Sequence, residues 1–424
     1  MFSGQSTPIV FILFDLTCSQ GVSSVSAFNS LDDFSFDKQT VLLRADLNVP
    51  MKDGLVSDCT RLERLIPTLK ELSEGHAKIV ILSHFGRPKG KRDLAYSLRP
   101  VAAALADVWG KPVAFAEDCI GPVAQAAVAA LNPGEILVLE NTRFYPGEEA
   151  NDPAFAVELA RLGDFYVNDA FSAAHRAHAS TEALAKLLPC AAGRLMEEEL
   201  TALSRALEHP LRPLAAIVGG AKISTKLDLL NNLCAKVDYL ILGGGMANTF
   251  LAAQGCAIGK SLCEADMLET ARSIMAEAKE KRCEIVLPKD VVVAPALKAD
   301  APISIENACA VPPTQMILDL GPLSAEDIKG KLLACQTVIW NGPLGVFEIP
   351  PFDKATNEVA LWVGEQTKKG KLLSVAGGGD TVAALAHAGV LEKFSYVSTA
   401  GGAFLEWMEG KKLPGVEALR KAEA

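Results

Sequence analysis

"LLSVAGGGDTVAALAHAG", residues 372–389, runs from an apolar stretch through three consecutive glycines into an alanine-rich stretch of helical character. A short apolar run closed by glycines and followed by a helix pattern is a strand–loop–helix unit, and units of this kind assemble into a parallel sheet. Two further segments repeat it: "PLAAIVGGAKISTKLDLLNNL" at 213–233 and "VDYLILGGGMANTFLAAQG" at 237–255. Upstream, "TVLLRADLNV" (40–49), "AKIVILSHFG" (77–86), "GEILVLENTRF" (134–144) and "DFYVNDAF" (164–171) read as strands ending in polar loops. Between them, "TRLERLIPTLKELSEG" (60–75), "RPVAAALADVWG" (99–110) and "DPAFAVELARLG" (152–163) read as amphipathic helices. The expected fold is α/β: two doubly wound, Rossmann-like domains with mainly parallel sheets, joined by a hinge helix.

Length supports two domains, because chains beyond about 250–300 residues usually divide their core and this one has 424. The junction is placed at the charged helix "MEEELTALSRALE" (196–208), which runs into "HPLRP" (209–213), where two prolines stop it. The expected parts are an extension over 1–25, a first domain over 26–197, a linker helix over 198–212, a second domain over 213–407 and a tail over 408–424. The tail, "EGKKLPGVEALRKAEA" (409–424), reads as a polar helix packed on another part of the chain.

Half the residues are hydrophobic and 22% are charged, so each domain can bury a core. A formal net charge of -10 argues against wrapping nucleic acid, which needs a broad basic face. Any anionic ligand is therefore small and locally held. The ten cysteines contain no C-x-x-C spacing and read as reduced core residues of a cytoplasmic protein. "HRAH" at 175–178 is a poor zinc motif without a neighbouring cysteine or carboxylate. "PIVFILF" (8–14) followed by "GVSSVSA" (21–27) has the outline of a signal peptide, but no Lys or Arg precedes Lys38, so an upstream start or a loose extension is the preferred reading. No other stretch could span a membrane.

"QGCAIGKS" (254–261) imitates a Walker A loop, yet Gln254 stands where its first glycine is required and the segment follows a helix. No complete G-x-G-x-x-G follows a strand, which weakens a nicotinamide-dependent dehydrogenase. What remains is the loop at Gly377–Gly379, whose backbone N–H groups at a helix start suit a phosphate. Asp380 is then either a helix N-cap or a carboxylate beside phosphate-bound Mg²⁺. Lys222 and Lys226, four apart in "GGAKISTK" (219–226), are expected on one face of a helix's first turns, against the preference for acids there. They are either an exposed pair or cations opposite transferring phosphates. "WNGPLGVFEIPPF" (340–352) offers Asn341 and Glu348, the latter suited to ribose hydroxyls or simply part of a tight turn. In the first half, Asp46, Asn48, His84, Arg87, Arg143 and Arg176 recur at strand ends and Arg61 opens a helix, and converging guanidinium groups suit carboxylate and phosphate oxygens.

These segments together resemble the phosphoglycerate kinase family. The likeness rests on "RADLNVP", "SHFGRPKG", "ENTRFYPGEE", "NDAFSAAHRAHAST", "GGAKISTKLDLL", "GGGMANTFL", "WNGPLGVFE", "GGGDT" and "VSTAGGAFLE", in the family's order from about residue 26 to the tail. The resemblance implies reversible transfer of a phosphoryl group from 1,3-bisphosphoglycerate to ADP, giving 3-phosphoglycerate and ATP, with Mg²⁺ as cofactor. It implies a glycerate site of Asp46, Leu47, Asn48, Arg61, His84, Phe85, Gly86, Arg87, Arg143 and Arg176. It implies a nucleotide site of Lys222, Lys226, Gly243, Asn341, Glu348, Gly378, Gly379, Asp380 and Thr381, with Asp380 nearest the metal. Arg61, Lys226, Gly378 and Gly401 would be the catalytic set, in a cytoplasmic monomer whose tail packs back on the first domain. No nucleophile or general base is needed, because a substrate oxygen attacks directly. Closure is expected at the linker near 196–212 and the loop at 398–404. Ala45, Leu47, Thr142, Tyr145, Ala400 and Phe404 depart from the commonest family pattern; the last two bear on closure. A dehydrogenase would need its own glycine fingerprint, and a non-catalytic scaffold would have lost the charged positions, all of which are present.

Overall fold

The structure is a computed structural model that describes residues 28–421; the extension expected over 1–25 lies outside the described residues. The first half is a six-stranded parallel sheet of β1 (Thr40–Arg44), β2 (Lys78–Leu82), β3 (Val113–Ala116), β4 (Ile136–Leu139), β5 (Phe165–Asn168) and β6 (Cys190–Ala192), in spatial order β3-β4-β2-β1-β5-β6. The second half repeats the plan with β7 (Leu214–Val218), β8 (Tyr239–Leu242), β9 (Glu284–Val286), β10 (Thr337–Asn341), β11 (Leu373–Gly377) and β12 (Tyr396–Ser398), in order β9-β8-β7-β10-β11-β12. The central strands are apolar along nearly their whole length because helices cover both faces of each sheet.

In each sheet the order reverses beside the first strand, between β1 and β5 and between β7 and β10. Ligands of doubly wound folds bind in the crevice at such a reversal, outside the strands' carboxyl ends. The register aligns those ends: Arg44 is level with Leu82 and Asn168, and Val218 with Leu242 and Asn341. The loops that follow therefore leave each sheet at one edge.

Helix α1 (Thr60–Glu74) packs Leu62, Leu65, Leu69 and Leu72 inward at helical spacing, which fixes Arg61 in its first turn. Helix α2 (Arg194–Leu203), extended by a wider turn over Ser204–Glu208, crosses between the sheets. It begins four residues before the expected 198, where Arg194 is tied to Asp32, Glu71 and Glu197. At the chain's end, Gly415 N–H donates to Ala174 O, Cys190 Sγ to Ala418 O, and Arg420 pairs with Phe28, so this segment lies on the first half.

One expectation fails. Cys256 and Cys309 form a disulfide, although the sequence suggested only reduced cysteines. They precede two short paired parallel strands, Ala257–Ile258 and Ala310–Val311, which bring their Cα atoms to 4.2 Å. Seven other cysteines among the described residues are free.

Candidate functional site

The loop after β1 turns on Asp46, whose Oδ1 accepts the Asn48 N–H at 3.0 Å. Its other oxygen lies 2.9 Å from Arg61 Nη1 and also accepts the Ser172 hydroxyl. Arg61 Nη1 donates to Asn48 O at 2.7 Å, so the guanidinium is held against the end of β1. Asn48 Oδ1 in turn accepts Gly86 N–H at 3.0 Å, and Gly86 O accepts Arg143 Nη1 at 2.9 Å. The loops after β1, β2 and β4 are thereby stitched together, as a strand-end site requires.

These residues line a cavity of about 280 Å³ together with His84, Arg87 and Arg176. Leu47 and Phe85 do not line it. Leu47 is fully buried, with its N–H on Ser83 Oγ, and Phe85 N–H is held by Asn141 Oδ1; both shape the loops from behind. Ser172 and His175 do line it, although sequence reasoning passed over the first and weighed the second only as a zinc ligand. Their place just after β5 was the available signal.

In the second half, four helices start at the carboxyl edge of the sheet with no side chain capping their N-termini: α3 (Leu227–Cys234), α4 (Gly244–Ala253), α5 (Gly379–His387) and α6 (Gly401–Met408). At α4 two of these donors are already used, Gly244 N–H on Leu344 O and Met246 N–H on Gly220 O; where first-turn N–H groups stay open, the helix dipole behind them favours anions. Gly243 caps α4 where a Cβ would come within 2.7 Å of the Leu344 backbone. Gly378 stands before α5 at φ +100°, where a Cβ would lie 2.7 Å from Asn341 Nδ2.

The helix begins only after both lysines, not around them as the sequence reading expected. Lys226 is the residue before α3, and Lys222 lies in the preceding loop, so the two do not share a helix face: buried Ile223 turns the chain between them. Lys226 Nζ donates to Gly219 O and Asn341 Oδ1, each at 2.7 Å, whereas Lys222 is exposed. Burial pushes the Lys226 ammonium down to about 8, with Asp380 opposing. Asp380 is not an N-cap, because Gly378 occupies that position; it is exposed in the first turn of α5. Thr381 Oγ1 accepts Gly342 N–H at 2.7 Å, and Asn341 Nδ2 donates to Gly377 O at 2.8 Å, which ties the ends of β10 and β11. Glu348 is exposed in the loop after β10.

The two half-sites meet. Thr399, Ala400, Gly401 and Gly402 close the cavity opposite the arginines, and a Cβ on Gly401 would sit 3.6 Å from Gly379 N. The start of α6 therefore stands between the cationic wall and the glycine loop of α5. Phe404 is fully buried beneath this junction, its ring where a Cβ on Gly377 would be, and so supports α6 from behind. Across the halves, Arg64 donates to Tyr396 Oη at 2.8 Å and Thr399 Oγ1 at 3.2 Å, and the Ser398 hydroxyl donates to Glu199 of α2 at 3.2 Å. Burial raises the Glu199 carboxyl to about 7 and that of the neighbouring Asp169 to about 6.

The arrangement faces four guanidinium groups against uncapped helix N-termini, which suits a small polyanion held between two walls. Among the described residues no cluster of three His, Cys, Asp or Glu side chains could hold a metal, and no helix is long and apolar enough to cross a membrane.

Comparison with known proteins bears on the same surfaces. The sequence profile of a family described as Phosphoglycerate kinase matches residues 31–411. The chain is 62% identical over 393 residues to a protein named phosphoglycerate kinase from Rhodospirillum centenum, covering 93% of this chain and 99% of that one. Among solved structures it is similar to phosphoglycerate kinase from Coxiella burnetii, with TM-score 0.87 and 44% identity, covering 92% and 98% of the two chains. It is also similar to the Pyrococcus horikoshii enzyme, with TM-score 0.76, 31% identity and the same shares covered.

Proposed function

The chain belongs to the phosphoglycerate kinase family and is a phosphotransferase of that activity, and from this premise we propose how its own residues carry the transfer. The first half, residues 26–197, binds 3-phosphoglycerate or 1,3-bisphosphoglycerate through Asp46, Asn48, Arg61, His84, Arg87, Arg143 and Arg176. The second half, 213–407, binds ADP or ATP through Lys226, Gly243, Asn341, Glu348 and the Gly378–Thr381 loop, with Lys222 at its rim. The observation that carries this reading is the cavity in which Arg61 and Arg176 face the start of α6, beside the Gly378–Gly379 loop.

The attacking oxygen belongs to one substrate and the leaving oxygen to the other, so no side chain accepts a proton. The chain's task is alignment and charge stabilisation over the transferred group's equatorial oxygens. Arg61, fixed by Asp46 and Asn48 O, presents its guanidinium from one side. From the other side come the Lys226 ammonium and the backbone N–H donors of Gly378, Gly379 and Gly401. Asp380 fits Mg²⁺ that arrives with the nucleotide: a single exposed carboxylate at a phosphate-binding helix start suits an ion held mainly by phosphate oxygens and water. That ion would neutralise phosphate charge.

Bending at α2 and the 398–404 loop, between which the Ser398–Glu199 contact runs, brings the halves into line and excludes water. Both half-sites lie on one chain, which supports a monomer, and its charged, membrane-retained substrates favour the cytoplasm.

The test is NADH oxidation coupled to glyceraldehyde-3-phosphate dehydrogenase, with 3-phosphoglycerate and ATP, with and without Mg²⁺. Turnover is expected to need Mg²⁺ and to fall about 10²- to 10³-fold in Arg61→Ala. A folded wild type that binds nucleotide without turnover would leave a binding scaffold instead.

A further inference from the structure

Beneath the cationic wall lies a buried chain of polar groups that the reaction itself does not use. Glu148, Ser180 and Arg44 are all fully buried. Glu148 accepts from Ser180 twice, at Oε2 from the N–H at 3.0 Å and at Oε1 from the hydroxyl at 2.6 Å. The Ser180 oxygen accepts Arg44 Nε at 2.9 Å, and Tyr166 Oη donates to Ser180 O at 2.8 Å, holding the backbone in place. Arg44 Nη1 donates to Ala45 O, and Nη2 lies 2.9 Å from His84 Nδ1.

The direction of every bond is forced. An ionised carboxylate only accepts, so the serine must spend its one proton on Glu148 and offer a lone pair to Arg44. A guanidinium only donates, so His84 Nδ1 must be the acceptor. An imidazole that accepts at Nδ1 is neutral only with its proton on Nε2. His84 lines the substrate cavity, where a donor suits an anionic ligand and a lone pair would repel it.

We propose that Glu148 and Ser180 are positioning residues that, through Arg44, hold His84 as the neutral Nε2–H tautomer, making it a hydrogen-bond donor to an oxygen of the three-carbon substrate. The proposal rests on the reading that this cavity takes phosphoglycerate. The site already carries four guanidinium groups, so a neutral donor adds direction without further like-charge repulsion. Burial together with the nearby guanidinium charges of Arg44, Arg143 and Arg176 holds His84 well below its ordinary range, beside a His178 ring that burial itself pushes down to about 4, in keeping with a ring that stays neutral. Arg44 is a buried cation whose link to Glu148 runs through a hydroxyl, so removing that hydroxyl frees the guanidinium to turn away from His84.

The experiment is long-range ¹H–¹⁵N correlation of histidine rings in full-length protein, with His84 assigned by loss of its signals in His84→Gln. Wild type is expected to show a pyridine-type Nδ1 and a protonated Nε2, unchanged from pH 6 to 8. In Ser180→Ala the His84 signals should become tautomer-averaged and titrate closer to the ordinary histidine range, while KM for 3-phosphoglycerate rises about tenfold and kcat changes little. Glu148→Gln should act in the same direction. Wild-type His84 that is protonated on Nδ1 or doubly protonated at pH 7 would overturn the proposal, whether or not either variant folds. So would an unaltered tautomer in folded Ser180→Ala. Adding 3-phosphoglycerate separates the two readings: expected tautomers with no ligand-induced shift at His84 would leave the network standing and remove the substrate assignment.

Discussion

Lys226 couples nucleotide binding to protons. Its Nζ is held by Gly219 O and Asn341 Oδ1 at 2.7 Å and by Asn341 O at 3.3 Å, but burial lowers its affinity for a proton to about 8 from 10.5. Phosphate oxygens arriving at α3 and α5 restore the charged form, so binding at pH 8 should take up about half a proton. At pH 9 roughly nine in ten free sites have lost the ammonium proton, and MgADP affinity should be about tenfold weaker than at pH 7, or about 1.4 kcal/mol. Titration calorimetry in buffers of different ionisation enthalpy measures both quantities, with Lys226→Met as the reference for protons exchanged elsewhere. Equal uptake by wild type and Lys226→Met, or a flat affinity from pH 7 to 9, would refute the argument. Without ligand the sign reverses its meaning. Between about 8 and 10.5 the unfolded chain binds the proton that the folded site has lost, so stability rises with pH across that window, by on the order of 3 kcal/mol at most.

Gly378→Ala places a Cβ at φ +100° and 2.7 Å from Asn341 Nδ2; a strain of about 1–3 kcal/mol should weaken MgADP binding about tenfold and lower Tm by a few degrees, read by calorimetry. Unchanged nucleotide affinity would remove that loop from the phosphate site. Glu199 is raised to about 7 from 4.5, mainly by burial and against the pull of Arg64, so the folded state binds the extra proton between those values. Stability should therefore fall as pH rises from 4.5 to 7, and Glu199→Gln should flatten that slope in denaturant titrations; an unaltered slope would locate the proton elsewhere. An engineered crosslink that holds the two sheets apart should abolish turnover while leaving each ligand's separate binding nearly intact, and unchanged turnover would rule out closure.

The double sheet was legible because parallel strands are buried on both faces and so read as unbroken apolar runs: Val41 to Leu43, Ile79 to Leu82 and Ala215 to Val218 are all fully buried. The converging arginines were legible because Arg87, Arg143 and Arg176 stand in the loops that follow such runs and Arg61 opens the helix after the first of them. Three features were not. Lys222 and Lys226 have helix spacing, but Ile223 is drawn into the core and delays the helix until Leu227, so spacing alone gave them a face they do not share. Cys256 and Cys309 are 53 residues apart and meet through two-residue strands too short to leave a periodic pattern. Arg44 stands in the quoted "RADLNVP" segment, yet nothing in the string distinguishes a guanidinium that faces ligand from one fully buried beneath it.

That last distinction explains how a protein of net charge -10 keeps a cationic wall at one cleft. Arg61 is paired with Asp46, Arg143 lies 3.3 Å from Glu149, and Arg44 reaches Glu148 through Ser180. The carboxylates lie alongside or behind the guanidinium groups, while the stretch directly across the cavity, Thr399 to Gly402 at the start of α6, carries no charged side chain. A wall of unpaired cations facing another would repel as the halves closed, at a cost that grows as water leaves. Fixed backbone dipoles on one side let the halves approach without that repulsion, and the attraction appears only when a polyanion lies between them. On this argument closure is driven by the two substrates together, because either one alone leaves one wall without its counter-charge.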